Sequence, residues 1–346
     1  MARVLDSGRF ILGEEVLAFE QAFAAYLGRR HCVACGSGTD AITLALRALD
    51  VQPGDEIITP TNTCFAAVCG IREAGAKPAL CEALPGSAMT GPAEVEAAIT
   101  PRTRVIMPVN LYGASPDLEA LGHLSERRGI PIVEDCAQSH GTKFRGKMTG
   151  TFGVMGCFSF YPSKNLGCYG DGGAVVTDDD GLDRKLRLLR NYGQEDRYAH
   201  RMFGLNSRLD EVQAAILSAK LPRLETWSAR RRELAARYDA QLRDVPGVTL
   251  LGPVEGTEPA PHLYVIRVRK RKELQQALAG RGIQTFIHYP VPCHLQEACR
   301  FLGHREGDFP AAEALAREVL SLPLFPQLRE EEVDHVAQAI RAFAAG

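Results

Sequence analysis

Between Gly13 and Gly28, apolar residues recur at helical spacing. Val16, Phe19, Phe23 and Tyr26 fall on one face, and a glycine stands where the pattern stops. Beyond it the period changes. Short β-type runs ("HCVACG", "DEIITP", "TRVIMPVN", "PIVED", "GCFSF" and "GAVVTD") are interleaved with helical patterns such as "GTDAITLALRALD", "TCFAAVCGIREAG" ending near Gly75, and "DLEALGHLSERRG". Strand–helix alternation of this kind predicts an α/β fold with a mainly parallel sheet and helices on both faces. Arg208 to Arg243 reads as two helices broken near Pro222. Proline and glycine then crowd "VPGVTLLGPVEGTEPAP", and a smaller unit follows: strand "HLYVIRV", helix "RKELQQALAG", strand "IQTFIHY" and two more helices. The pattern predicts two domains, an α/β unit over 1–245 and a smaller α+β unit over 246–346.

A chain of 346 residues has ample core for both. Lys plus Arg number 40 against 42 Asp plus Glu, so the basic excess of a nucleic-acid binder is missing. The first residues, "MARVLDSGRFILGEE", carry no signal-peptide pattern, and no apolar run has the length of a bilayer crossing. The expectation is a cytoplasmic protein without a membrane partner, whose ten cysteines stay reduced. Cys32 and Cys35 form one C-x-x-C, but no second pair stands at zinc-site spacing. They read as core or loop thiols, and no metal site is expected.

Three polar clusters sit where predicted strands end, the edge at which α/β sheets bind ligands. In "CGSGTDA" a strand–turn–helix joint made of small residues directs backbone N–H groups at an anion, with Ser37 and Thr39 as further donors; an ordinary helix cap has the same look. "PIVEDCAQSHG" offers Glu134, Asp135, Gln138 and His140, although a carboxylate there also serves as a plain cap. "FSFYPSKNLGCYGDGGAVVT" holds Ser159 and then Lys164 between apolar runs and ahead of several glycines. Lysine is almost never buried without a partner, so the alternative is an exposed turn. Together the clusters supply an anion cradle, an acid and a lysine whose proton can be made labile by burial. Pyridoxal 5′-phosphate (PLP) needs that set.

The chain also resembles the DegT/DnrJ/EryC1/StrS family of PLP-dependent sugar aminotransferases, closest to its nucleotide-sugar 3-aminotransferases. The resemblance runs from "ILGEEVLAFEQAFAAYLG" through "GSGTDAITLAL", "QPGDEIITP", "VNLYGASPDLEAL", "VEDCAQSHG", "GLNSRLDEVQAAIL" and "IHYPVPCHLQ" to "LSLPLFPQL". It implies the aspartate-aminotransferase-like fold (fold type I). Lys164 would be the catalytic lysine that carries the cofactor. Asp135 would face the pyridine nitrogen, and Gln138 the ring oxygen. Gly38, Thr39 and Ser159 would hold the phosphate, with Asn206 reaching it from the other subunit of a homodimer with shared active sites. His288 and Tyr289 would line the sugar side, with Tyr161 and His140 as further substrate contacts. Where the family carries an aromatic residue over the cofactor, this chain has Cys64 followed by Phe65. Either the cysteine covers the ring or a local shift brings Phe65 in.

The implied reaction moves an amino group from L-glutamate to a keto-sugar nucleotide in amino-sugar biosynthesis for polysaccharides or antibiotics. "YPSKNLG" followed by "GDGG" resembles members acting on a 3-keto hexose linked to dTDP or UDP. The alternatives are a 4-keto sugar nucleotide or an inositol ketone as acceptor. Family dehydratases have histidine in place of the lysine, so Lys164 argues against them. A regulatory protein that keeps the fold without chemistry has no need of Lys164, Asp135 and Gln138 together.

Overall fold

A computed structural model of the chain describes residues 1–345. Its first nine strands are β1 (His31–Cys35), β2 (Glu56–Pro60), β3 (Lys77–Cys81), β4 (Thr103–Ile106), β5 (Val133–Asp135), β6 (Lys143–Phe144), β7 (Lys147–Met148), β8 (Met155–Ser159) and β9 (Gly173–Thr177). Two hydrogen-bonded groups, β3-β2-β4 and β1-β9-β8-β5, are joined by parallel bridges from Ile106 to Ile132 and from Val109 to Asp135. The result is one sheet in the order 3-2-4-5-8-9-1. β2 pairs in parallel with β3 and β4, and β5 in parallel with β8, while β9 alone runs against its neighbours.

Alternation along β1 shows why the sheet lies between two helical layers. Val33 and Cys35 pack with Ile42 and Leu46 of the helix Gly38–Ala48. Cys32 and Ala34 pack with Phe19 and Phe23 of the helix Glu14–Leu27. Residues three apart on a strand point to opposite faces, so the C-x-x-C thiols are separated by the sheet itself. The helix Glu14–Leu27 ends on Gly28 at φ 77, as its pattern predicted. Its start is satisfied from afar: the Glu211 carboxylate accepts the N–H groups of Gly13, Glu15 and Val16 at 2.7, 2.9 and 3.0 Å. This places an acid where the helix dipole favours one.

Helices Glu211–Lys220 and Leu224–Leu242 are separated by a 3₁₀ turn around Pro222, at the predicted break. A hairpin of β10 (Gln194–Asp196) and β11 (Ala199–His200) precedes them. Farther along come β12 (Val248–Leu250), β13 (Thr257–Glu258), β14 (Tyr264–Val268) and β15 (Val319–Leu322). β12, β14 and β15 form an antiparallel sheet, whereas β13 pairs with β6. The antiparallel sheet shares its core with Leu234, Tyr238 and Leu242 from the helix Leu224–Leu242, and with Leu274, Val333 and Ile340 from later helices.

One predicted strand is not formed. Residues 283–289 contribute a single bridge, Phe286 to Ser321, and Pro290 and Pro292 follow at once. Proline has no N–H for a ladder, so pairing does not extend. The third strand of that sheet is instead β15, between the two predicted helices, which span Pro310–Glu318 and Glu330–Ala345. Among the described residues no helix is long and apolar enough to cross a membrane.

Candidate active site

At the carboxyl edge of the large sheet lies a cavity of about 390 Å³. The ends of β1, β2, β4, β5 and β8 all feed it, together with the start of the reversed strand β9. From the sequence-predicted set, Gly38, Thr39, Asp135, Gln138, Ser159, Tyr161, Lys164, His288 and Tyr289 line it.

One wall is the start of the helix Gly38–Ala48. The first N–H groups of a helix have no intrahelical acceptor. Ser37 caps that of Asp40 at 3.1 Å, which leaves the Gly38 and Thr39 amides facing the cavity. Glycine is required at 38, because a Cβ there would stand 2.5 Å from Ser159 Cβ. That close approach brings the helix start and the Ser159 hydroxyl to a single anion-sized spot.

The floor is Asp135. Strand alternation separates it from Glu134, which turns away and accepts the N–H groups of Gly150, Phe152 and Gly153 at 2.8, 2.7 and 3.0 Å. Glu134 therefore shapes a loop, and Asp135 faces the ligand space. Asp135 Oδ1 accepts the Ala137 N–H at 2.9 Å. Among the described residues its Oδ2 has no hydrogen-bond partner. Burial pushes the Asp135 carboxyl above its ordinary range, partly offset by the Ala137 N–H and by the charge of Lys164.

Lys164 enters from the loop between β8 and β9. Burial pulls its ammonium below the usual lysine range, against the opposing pull of Cys64 and Asp135. Its Nζ has no hydrogen-bond or ion-pair partner among the described residues. Tyr289 reaches over from the segment 283–289. The Tyr112 N–H donates to Gln138 Oε1 at 2.8 Å, so the Gln138 amide nitrogen donates to Tyr289 Oη at 3.0 Å. His288 is held by Ser321 Oγ, 2.8 Å from its Nδ1; burial first and Lys164 second keep its ring below the ordinary histidine range.

Two predicted residues are not brought to this cavity. His140 is fully buried among Phe23, Phe158 and Phe160, and burial, then Lys164, push its ring down to about 3. His140 therefore packs in the aromatic core and does not line the cavity, where a substrate contact was expected of it. Asn206 is exposed and lies outside its own chain's cavity, bridged to Asn191. At the cysteine in question, Cys64 lines the cavity, whereas Phe65 packs against a separate core with Val68, Leu80 and Met89. His262 had no sequence signal beyond opening a predicted strand, yet it lines both the cavity and an adjoining open cleft of about 1120 Å³.

A model of the DegT/DnrJ/EryC1/StrS aminotransferase family matches residues 1–341. The chain belongs to this family. A dTDP-3-amino-3,4,6-trideoxy-alpha-D-glucose transaminase from Streptomyces venezuelae is 48% identical over 344 residues, covering 99% of this chain and 91% of the relative. A pleiotropic regulatory protein from Geobacillus stearothermophilus is 46% identical over 347 residues, with coverage of 99% and 93%. In three dimensions the chain is similar to DesV of S. venezuelae, whose crystal structure is in complex with a ketimine intermediate. The TM-score is 0.98 at 48% identity, over 100% of this chain and 93% of that one. Relatedness of this extent carries the α/β fold of the family's PLP-dependent aminotransferases to the whole chain.

Proposed function

We propose that the protein is a PLP-dependent aminotransferase that moves an amino group from L-glutamate to a 3-keto hexose linked to dTDP or UDP. One observation carries the reading. An unpartnered lysine amine, a free carboxylate oxygen and the open N–H groups of a helix start face one cavity of about 390 Å³ from three sides. Each is an unmet polar group, and PLP meets all three with its aldehyde carbon, ring nitrogen and phosphate.

The bound cofactor supplies an electron sink for the carbanion left when a proton leaves the amino donor's α-carbon. Lys164 Nζ moves that proton. Burial pulls the amine below the usual lysine range, which makes its proton easier to give up, and a positioned general base contributes typically ~10²–10⁴-fold. Asp135 Oδ2 holds a proton at the pyridine nitrogen through a charge-assisted hydrogen bond. The Gly38 and Thr39 N–H groups and the Ser159 hydroxyl bind the phosphate. Gln138 orients Tyr289 over the ligand space, and His288 and Tyr161 border the side that opens to the cleft. That cleft carries Lys220, Arg231 and Trp227, a basic and aromatic lining suited to a nucleotide diphosphate. Asn206, exposed and outside its own cavity, serves the phosphate of a second copy in a homodimer. A cytoplasmic location is part of the reading, supported by ten cysteines that form no disulfide.

The regulatory name of one relative favours no second reading here, because a regulator without chemistry has no use for the unpartnered Lys164. Purified protein, reconstituted with PLP, is to be given L-glutamate and a panel of 3-keto and 4-keto sugar nucleotides. The expected result is a cofactor absorbance that bleaches with glutamate and an amine product from the 3-keto acceptors alone. No bleaching removes the enzyme reading; product from the 4-keto acceptors alone removes the position of the keto group.

A further inference from the structure

Of the non-glycine residues with left-handed backbone, only Ala88 and Tyr112 are buried among the described residues. Tyr112 stands at φ 60, where a bulky side chain is an outlier. Such strain persists only where the surroundings hold it, and it gathers at functional sites. Tyr112 does not itself line the cavity. It lies three residues after Val109, which bridges to Asp135, so its turn is anchored beside the strand that carries the acid.

The N–H, the carbonyl and the hydroxyl of Tyr112 are all engaged by residues that do line the cavity. The N–H donates to Gln138 Oε1 at 2.8 Å. The carbonyl accepts the N–H groups of His262 and Leu263 at 2.9 and 3.3 Å. The hydroxyl donates to the main-chain carbonyl of His288. One residue thus ties together three stretches that are far apart in the chain. The bonds also close a loop around Tyr289. The Tyr112 N–H fixes which end of the Gln138 amide turns outward, and that amide nitrogen donates to Tyr289 Oη at 3.0 Å. The His288 carbonyl belongs to the peptide bond that leads into Tyr289. Tyr112 therefore holds Tyr289 at both ends, at the phenol through Gln138 and at the backbone directly.

We propose that Tyr112 is a positioning residue for the keto-sugar acceptor: its hydroxyl, acting through the His288 carbonyl, fixes where His288 and Tyr289 stand over the ligand space. The inference rests on the functional reading given above. A hexose carrying a nucleotide outgrows the cavity and must pass His288 into the adjoining cleft, which glutamate has no need to reach. Loss of the Tyr112 hydroxyl therefore bears on the acceptor and spares the donor.

Tyr112→Phe removes the hydroxyl and keeps the ring, the N–H and the carbonyl. Tyr264→Phe is the comparison, because the Tyr264 hydroxyl donates to Asp239 Oδ1 at 2.6 Å and neither residue lines the cavity or the cleft. Both variants and the parent, reconstituted with PLP, are assayed with glutamate and with the sugar nucleotide that the parent aminates. In a reaction of two alternating halves, kcat/KM for each substrate reports its own half. For Tyr112→Phe, kcat/KM for the acceptor should fall roughly 3- to 10-fold, the worth of one hydrogen bond between neutral groups, while the value for glutamate stays at that of the parent. Tyr264→Phe should lower the melting temperature and leave both values unchanged. No loss with the acceptor, a loss with glutamate that matches the acceptor's, or an equal acceptor loss in Tyr264→Phe overturns the proposal. A Tyr112→Phe chain that no longer takes up cofactor assigns Tyr112 to the fold alone and overturns it too. Those outcomes leave the functional reading standing, whereas a parent that takes up no cofactor or aminates no sugar nucleotide overturns that reading and this inference with it.

Discussion

Replacing Asp135 by asparagine separates what the carboxylate does for the fold from what it does for the chemistry. The Ala137 N–H donates to Asp135 Oδ1 at 2.9 Å, and only the carbonyl oxygen of an asparagine can accept that bond. The new amide nitrogen must therefore stand where Oδ2 was, and the ring nitrogen of the cofactor meets a donor in place of a charged acceptor. A hydrogen bond to a charged group is worth about 1.5–3 kcal/mol, and each 1.36 kcal/mol is tenfold in rate, so the glutamate half-reaction should slow roughly 10- to 150-fold. Stability should move the other way. Burial raises the Asp135 carboxyl in the folded chain, so the unfolded chain ionises first as pH rises and folding loses free energy through that window. At pH 7 the cofactor-free Asp135→Asn protein should melt no lower than the parent, with the difference narrowing below the ordinary carboxylate range. Stopped-flow absorbance with glutamate and thermal melts at pH 7 and pH 4 measure the two effects. A half-reaction within twofold of the parent would refute the role at the ring nitrogen; a lower melting temperature at pH 7 would refute the electrostatic argument.

Lys164→Ala should fold, bind cofactor without the absorbance of the lysine-linked form and show no turnover; near-parent turnover removes Lys164 from the mechanism. Gly38→Ala puts a methyl 2.5 Å from Ser159 Cβ, an overpacking that costs about 1–3 kcal/mol. A PLP titration should show the loss as weaker binding, and unchanged affinity would mean that the helix start and Ser159 do not share the phosphate. Lys164→Ala and Asn206→Ala chains, each impaired alone, should regain about half of normal activity in mixed dimers, because one site is then intact. Mixed dimers, verified by native mass spectrometry, that stay as weak as both parents would exclude a shared site.

Much of this was legible because burial and periodicity coincide. The face of Val16, Phe19 and Phe23 is the buried face of its helix, and the glycine after it adopts the left-handed geometry that stops it. Cavity-lining residues at strand ends were legible for a topological reason, since parallel strands deliver their carboxyl ends to one edge. What was not legible depended on phase or pairing. Cys64 and Phe65 are adjacent where a helix begins, and one step of rotation decides which meets the cavity. His140 follows Gln138 by two residues, but the chain has left the strand there and turns its ring into the aromatic core. Residues 283–289 have strand composition, yet the place beside β14 is taken by β15, whose pairing from Arg267 to Val319 and Tyr264 to Leu322 is nonlocal.

The reversed strand β9 bears on how the Lys164 segment can vary. A return to a parallel neighbour needs a crossover of a dozen or more residues over one face of the sheet. Here the chain leaves β8 at Ser159 and re-enters at Gly173, and those two residues are paired partners. The segment is a cassette hung from one rung of a ladder. A change of length at its exposed residues 161–163 therefore reroutes no other part of the chain, so the reach of the lysine can be altered while the acid stays in place; Phe160, Leu166 and Cys168, buried in the core beside Phe19 and Phe23, anchor the rest of the segment.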